Sequence, residues 1–311
     1  MTLIFDDIEF ESEIPDMPES GMVVQCTAPR FEERAKGIDA LTKRLDLGEM
    51  RDVETQFGRA LISERGEAEY FAASGAVWST NILHELKADD EFLDWDGLEE
   101  SRDADGQPVL TLGSKVADQA LELANELIDM AGFDMKHAQK PQLHLMQVAQ
   151  ADEKGRQLRS GAGEATVSMG YALEGLPILG AGGKTLIDMI PMRGPLQPTG
   201  AVNIWRTPGK QSKVQIGGTE AALVAGLLED PDLNIASEKG AKITIQRLRF
   251  GLMSMPAAVH QSLLFPALEF EARVDLAKTE EHYFIGRVVP VATPKAYARA
   301  GMVSEHFGLG M

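Results

Sequence analysis

Apolar positions recur along this chain with two different periods, and the change of period marks its elements. In residues 30–47, RFEERAKGIDALTKRLDL, Phe31, Ala35, Ile38, Leu41 and Leu45 fall on one helical face, and Gly48 follows as a stop. Residues 114–132 carry the clearest helical stripe, Val116, Ala120, Leu123, Ala124, Leu127 and Ile128. Ser114 is the expected N-cap there and Gly132 the C-terminal stop. A shorter helix is expected at 219–230, with Thr219 as its N-cap. Elsewhere the period is two. Residues 68–80 read as two short strands, or one bulged strand, interrupted at Gly75. Residues 141–153 set Leu143, Leu145 and Gln147 against His144, Met146 and Val148, and Val167, Met169, Tyr171 and Leu173 line one face of the next strand. Strands are also expected at 186–190, 201–205, 241–253 and 282–292. The 263–277 segment is half exposed, with Leu268, Phe270, Ala272 and Val274 opposite Glu269, Glu271, Arg273 and Asp275.

This order predicts α+β architecture, with helices packed on antiparallel, curved sheets. A helix followed by several strands recurs about three times, over 30–80, 114–206 and 219–292, without a strict sequence repeat. Residues 1–22 are acidic, contain Pro15 and Pro18, and read as an irregular arm. Residues 88–108 are polar and turn-rich and read as a joint. The expected division is therefore 1–22, 23–108 and 109–311.

Charge narrows the partners. With 48 acidic and 30 basic residues the formal charge is −18, a surface that repels nucleic acid and anionic lipid. No apolar run is long enough to span a membrane, and the first residues lack a signal-peptide pattern. As written the chain reads as cytoplasmic, although removal of an export signal would leave the same sequence. A protein or a small molecule is the expected partner, and a homo-oligomer is compatible. Cys26 is the only cysteine, so no intrachain disulfide forms, and it reads as a small buried hydrophobe.

Candidate chemistry is sparse. The stretch 174–189, EGLPILGAGGKTLIDM, ends like a phosphate-binding loop. That motif needs glycine where Ile178 stands, and a helix where a strand-like, Pro-terminated run follows. Its glycines are expected to serve backbone geometry instead. The six histidines show no H-x-x-x-H spacing and the segment holds no G-x-G-x-x-G, so neither metal nor cofactor is expected, and without G-x-S-x-G covalent hydrolase chemistry is not expected either. Glu269 and Glu271 stand about 7 Å apart on one strand face, as an acid/base pair or as a solvated face. The cluster singled out as a ligand site is Tyr171, Glu174, Trp205 and Arg206, with Tyr171, Glu174 and Arg206 as the catalytic candidates.

The segment 167–208, VSMGYALEGLPILGAGGKTLIDMIP…GAVNIWRTP, resembles PepSY-like domains and the propeptide domain of fungalysin/thermolysin-type peptidases. Tyr171 and Leu173 stand in the first strand of that pattern, Gly175, Pro177 and Ile178 in the turn, Gly180 at the small-residue step and Leu186–Ile190 in the second strand. FAASGAVW, 71–78, is similar to strands of extracytoplasmic regulators of a cell-wall sensor kinase. The resemblance implies a non-catalytic binding or regulatory module. Against this family pattern, the chain shows neither signal nor anchor. The alternative reading is a small-molecule enzyme of cyclase or isomerase type, using acid/base residues in a sheet-lined pocket.

Overall fold

The computed structural model describes residues 3–83, 97–102, 108–151, 157–191, 196–277 and 281–292. The fold is mixed α and β with large antiparallel sheets. Two compact units share the chain. A central unit comprises Ala28–Tyr171 and Lys184–Trp205, and a terminal unit comprises Met1–Thr27, Ala172–Gly183 and Arg206–Met311. This differs from the consecutive division expected from composition. Strand pairing, which composition does not encode, draws the first residues to the last strands. Residues 1–22 accordingly are not an irregular arm throughout: β1 (Ile8–Phe10) pairs with the strand Lys242–Met253, and β2 (Ser20–Thr27) also joins a sheet, with Leu3, Ile8 and Met17 buried. Most of the expected joint at 88–108 lies outside the described residues, and its described part holds the strand Leu98–Arg102.

The central unit is an eight-stranded sheet in the order β3-β4-β5-β6-β14-β13-β10-β9. These strands are β3 (Arg51–Thr55), β4 (Gly58–Ile62), β5 (Gly66–Phe71), β6 (Ala76–Asn81), β14 (Leu196–Ile204), β13 (Lys184–Pro191), β10 (Gln157–Gly170) and β9 (Gln142–Ala151). Every pairing is antiparallel. The expected strand at 68–80 is two strands, turned at Gly75 with φ 69°. Helices α1 (Phe31–Arg44) and α2 (Ser114–Ala131) form one core with the inner-facing residues of the sheet: Ile38, Leu41, Ala124 and Leu127 meet Val77, Val167, Ile187 and Ala201. Burial of such side chains contributes about 1.5–3 kcal/mol each. The helices cross closely at Gly37, where a Cβ would lie 2.0 Å from the Ala131 carbonyl oxygen. Ser114 begins α2 but does not cap it, since Gly113 occupies the N-cap position, whereas Gly132 ends it in the left-handed region at φ 63°.

The terminal unit is built on the long hairpin of β16 (Lys242–Met253) and β17 (Leu263–Asp275). β1 and β12 (Leu176–Leu179) add to β16 in parallel, at Ile243–Ile245 and at Leu252–Met253. On the far side of β17, β18 (His282–Pro290) pairs with Ala267–Asp275, and β2 takes Leu263 and Leu264, with β15 (Thr207–Gln215) outside β2. Leu268, Phe270, Ala272 and Val274 are fully buried. The helix expected at 219–230 is split into α3 (Gly218–Leu223) and a π-helical turn, Val224–Leu228. Thr219 is not its cap: its Oγ1 accepts a hydrogen bond from the Met17 amide, 3.0 Å away. A further helix, α4 (Pro231–Glu238), is capped by the Asp230 carboxylate, which accepts from the amides of Asp232 and Leu233.

Candidate functional site

Antiparallel register brings polar side chains together on the helix-covered face of the central unit. Thr185 opens β13 and lies opposite Asn203 near the end of β14, while Tyr171 follows β10 and bridges to Ala138. All three are fully buried. Asn203 Nδ2 donates to the Tyr171 hydroxyl at 3.0 Å and to Thr185 Oγ1 at 2.8 Å. The two hydroxyls are 2.8 Å apart, and Tyr171 also reaches Met135 Sδ at 3.3 Å. Arg34, from α1, donates through Nη2 to Asn203 Oδ1 at 3.1 Å and lies over the Phe133 ring, 5.8 Å from its centroid. The Tyr171 ring stacks on Trp205 at 4.2 Å with 8° between planes, and His137 stands 6.2 Å from the same indole.

The electrostatics follow from burial. The Tyr171 phenol is raised above its ordinary value by desolvation, although hydrogen bonds from Thr185 and Asn203 oppose the shift. Desolvation lowers Arg34, against smaller opposing effects of Tyr171 and Asp134. Arg34 Nε and Trp205 Nε1 are buried without a partner among the described residues. This arrangement holds a neutral phenol in place and sets three strand and loop ends against one another. It offers no base to Tyr171.

The expected cluster is therefore divided. Tyr171 and Trp205 meet as predicted, in the central unit. Glu174 and Arg206 belong to the terminal unit. Glu174 is exposed at the tip of the two-residue hairpin between Ala172–Leu173 and β12, where it and Gly175 both take positive φ, 50° and 82°. Arg206 is 1% exposed, and its guanidinium is spent on the β16–β17 loop. Nη1 donates to the Met255 carbonyl at 3.1 Å and to Ser254 Oγ at 3.4 Å, and Nη2 donates to the carbonyls of Pro256 and Val259 at 3.2 and 2.6 Å. Gln261 ties the same loop to Met253 and Met255. Desolvation lowers Arg206, while Cys26 nearby opposes that shift. Burial pushes the Cys26 thiol up to about 11, too high for a nucleophile at neutral pH.

The remaining sequence candidates resolve as structure. Glu269 and Glu271 are not an acid/base pair but rungs of an ion-pair ladder, opposite Arg249 and Arg247 of β16. His144 Nε2 is 2.9 Å from Ser168 Oγ on the neighbouring strand. The glycine stretch packs against the β16–β17 loop: a Cβ at Gly182 would lie 2.2 Å from Ser254 Oγ, and Gly180 and Gly183 take φ of 88° and 66°. Lys184 after it begins β13, a strand. His84 and His306 lie outside the described residues. Among the described residues no group of three His, Cys, Asp or Glu side chains is placed to hold a metal, and no helix is long and apolar enough to cross a membrane. Sequence reasoning missed Arg34, Thr185 and Asn203. They stand singly in amphipathic segments, and only register aligns them. It also missed the edge of β18, which pairs only with β17 among the described residues. Its signal was legible in HYFIGRVVP, a strand without lysine and without proline before its last position.

Comparison with known proteins bears on the fold alone. No family model matches the chain, and no curated protein matches it. Among solved structures, an uncharacterized protein from Eubacterium rectale ATCC 33656 is similar, with a TM-score of 0.51 and 10% identity, covering 94% of this chain and 90% of that one.

Proposed function

We propose that this chain is a non-catalytic binding or regulatory protein, of the PepSY-like and peptidase-propeptide kind that segment 167–208 resembles, and that it takes its partner along the edge of β18. The observation that carries this reading is that edge. β18 runs nine residues, pairs only with β17 among the described residues, and exposes Tyr283 and Phe284 at 42% and 54%. An extended partner adds its backbone hydrogen bonds to such an edge and lodges alternate side chains beside it. The three helix-then-strands units belong to the same proposal, with α1, α2 and the α3–α4 pair each preceding the strands of one unit. The enzyme alternative would need the Tyr171 hydroxyl to face a substrate. Instead that hydroxyl is 0% exposed with its residue and bonded to Thr185, Asn203 and Met135.

The test is selection of displayed extended peptides against the full chain and against the Phe284→Lys/Val288→Lys variant. Peptides enriched on the wild type and lost from the variant are the expected result. No enrichment, or enrichment indifferent to the two substitutions, overturns the assignment.

A further inference from the structure

Open sheet edges are normally blunted, because unpaired N–H and C=O groups recruit other strands. In the terminal unit, β15 shows the usual devices. It carries Pro208, Lys210 and Lys213 and is bulged between Pro208 and Gln211. In the central unit, edge strand β3 has five residues and includes Arg51, Asp52 and Glu54. β18 lacks the lysines, the bulge and the internal proline, and its single guard is Arg287, whose Nη1 donates to the Gly286 carbonyl at 3.0 Å. Its register with β17 is unbroken from Ala267↔Pro290 to Asp275↔His282, it has no lysine, and its proline is the last residue. Its one Arg or Lys, Arg287, is turned to the Asp232 carboxylate at the start of α4.

We propose that the occupant of this edge is β18 of a second copy of this chain, paired antiparallel about Gly286, so that self-association masks the partner-binding edge. The inference rests on the reading of β18 given above and adds what regulates it. Three observations choose a second copy.

The strand is self-complementary about Gly286. Antiparallel pairing on that centre sets Phe284 opposite Val288 twice, on the outward face that also carries Arg273 and Glu269 of β17. Aromatic and β-branched residues are favourable cross-strand partners. On the other face Tyr283 meets Val289 and Ile285 meets Arg287. Gly286 at the centre has nothing within 4 Å of the position of a Cβ, so two strands can approach there.

Charge points the same way. The chain carries −18, which opposes association of copies across most of its surface. Beside β18 the outward face is balanced: Arg247, Arg249 and Arg273 pair with Glu271, Glu269 and Asp275. A second copy meets little repulsion at this edge, and a strongly basic partner would find no excess carboxylate there.

The exposed apolar area is also placed for this use. Phe284 shares its face with Val288 and with the ion pairs of β16 and β17, and meets only the edge of His282 among the ring contacts of the described residues. Strand addition covers it, as a single exposed aromatic on a monomer would not be covered.

Sedimentation of the full chain over a concentration series tests the proposal. The wild type should shift from monomer to dimer with concentration. Phe284→Lys/Val288→Lys should weaken dimerisation by at least about tenfold, because like charges then face each other across the pair. Both positions have exposed or half-buried side chains, so the melting temperature should hold. Gly286→Cys gives a second readout: under mild oxidant the two copies should cross-link through residue 286, whereas Tyr283→Cys should not cross-link to itself. A wild type that stays monomeric at every concentration overturns the second-copy proposal, as does a dimer that survives the double lysine variant and does not cross-link through Gly286→Cys. Enrichment of displayed peptides on such a monomer would leave the binding reading standing while this one falls. A dimer lost in the variant, with no peptide enriched on the wild type, would leave this one standing while the binding reading falls.

Discussion

Among the described residues two arginines are buried, one in each unit, and their surroundings differ. Arg206 in the terminal unit is surrounded by four oxygen acceptors, three of them backbone carbonyls from a single loop. Arg34 in the central unit has one hydrogen bond to an amide oxygen and an aromatic ring beneath it. Burial lowers the pKa of both, because a guanidinium out of water loses its hydration. The difference lies in what the charge organises. Arg206 acts as the centre of the β16–β17 loop, whose carbonyls have no strand partner. Arg34 is one member of a side-chain network in which Tyr171, Thr185 and Asn203 Nδ2 pair with one another and Arg34 serves Asn203 Oδ1. The two buried charges thus have different partners: in one unit backbone carbonyls, in the other a side-chain amide.

Replacing each arginine is the sharpest way to break that contrast. Arg206→Met removes the guanidinium from the Met255 and Val259 carbonyls and the Ser254 hydroxyl, while Pro256 keeps the Val259 amide, and should cost about 3 kcal/mol. Arg34→Met removes one hydrogen bond and a desolvation cost together and should cost about 1–2 kcal/mol. Urea unfolding of the two variants measures both, and equal costs would erase the distinction. Arg206→Lys should recover little, since an ammonium cannot fan out to four acceptors.

An effect of comparable size separates the units by pH. Cys26 sits near Arg206, and its thiol rises from 9.0 unfolded to about 11 folded. The unfolded chain loses that proton first, so this contribution is complete below about pH 9 and is lost as pH rises toward 11. It amounts to about 2–3 kcal/mol. Tyr171 in the central unit is raised in the same sense, from 10.0, so its contribution declines only at higher pH. Denaturation of Cys26→Ala at pH 8 and pH 11 should show a shallower loss than the wild type. An unchanged slope would remove Cys26 from the account.

The smallest effect lies at Glu174. Its φ of 50° is costly for a residue with a Cβ, and the turn favours glycine or asparagine there. Glu174→Gly should raise stability by about 0.5–1 kcal/mol, read as a higher urea midpoint. A lower midpoint would show that the carboxylate makes a contact worth more than the backbone strain.

Much of the local structure was legible in the chain. The stripe Val116–Ile128 with Gly132 gave its helix, and the alternation Leu268, Phe270, Ala272, Val274 gave a strand whose apolar side is fully buried. Of the four residues grouped as a cluster on the expectation of a curled sheet, Tyr171 and Trp205 stack. Arg206 was singled out for the same reason, but its position beside Trp205 in sequence said nothing of the loop that claims it. Thr219 looked like a cap because threonine before an apolar run usually is one, and the Met17 amide competes for its hydroxyl.

By itself the sequence determined the α+β class, the positions of most strands and the longer helices, and the absence of a phosphate loop at 180–185. Those are consequences of side-chain period and backbone preference, which act over a few residues. Tertiary structure alone decided which strands pair, and with that everything of functional interest. It drew residues 8–10 to 243–245, aligned Thr185 with Asn203, and left one side of β18 unpaired among the described residues. Pairing partners are chosen by long-range burial and register, and neither a composition nor a period records them.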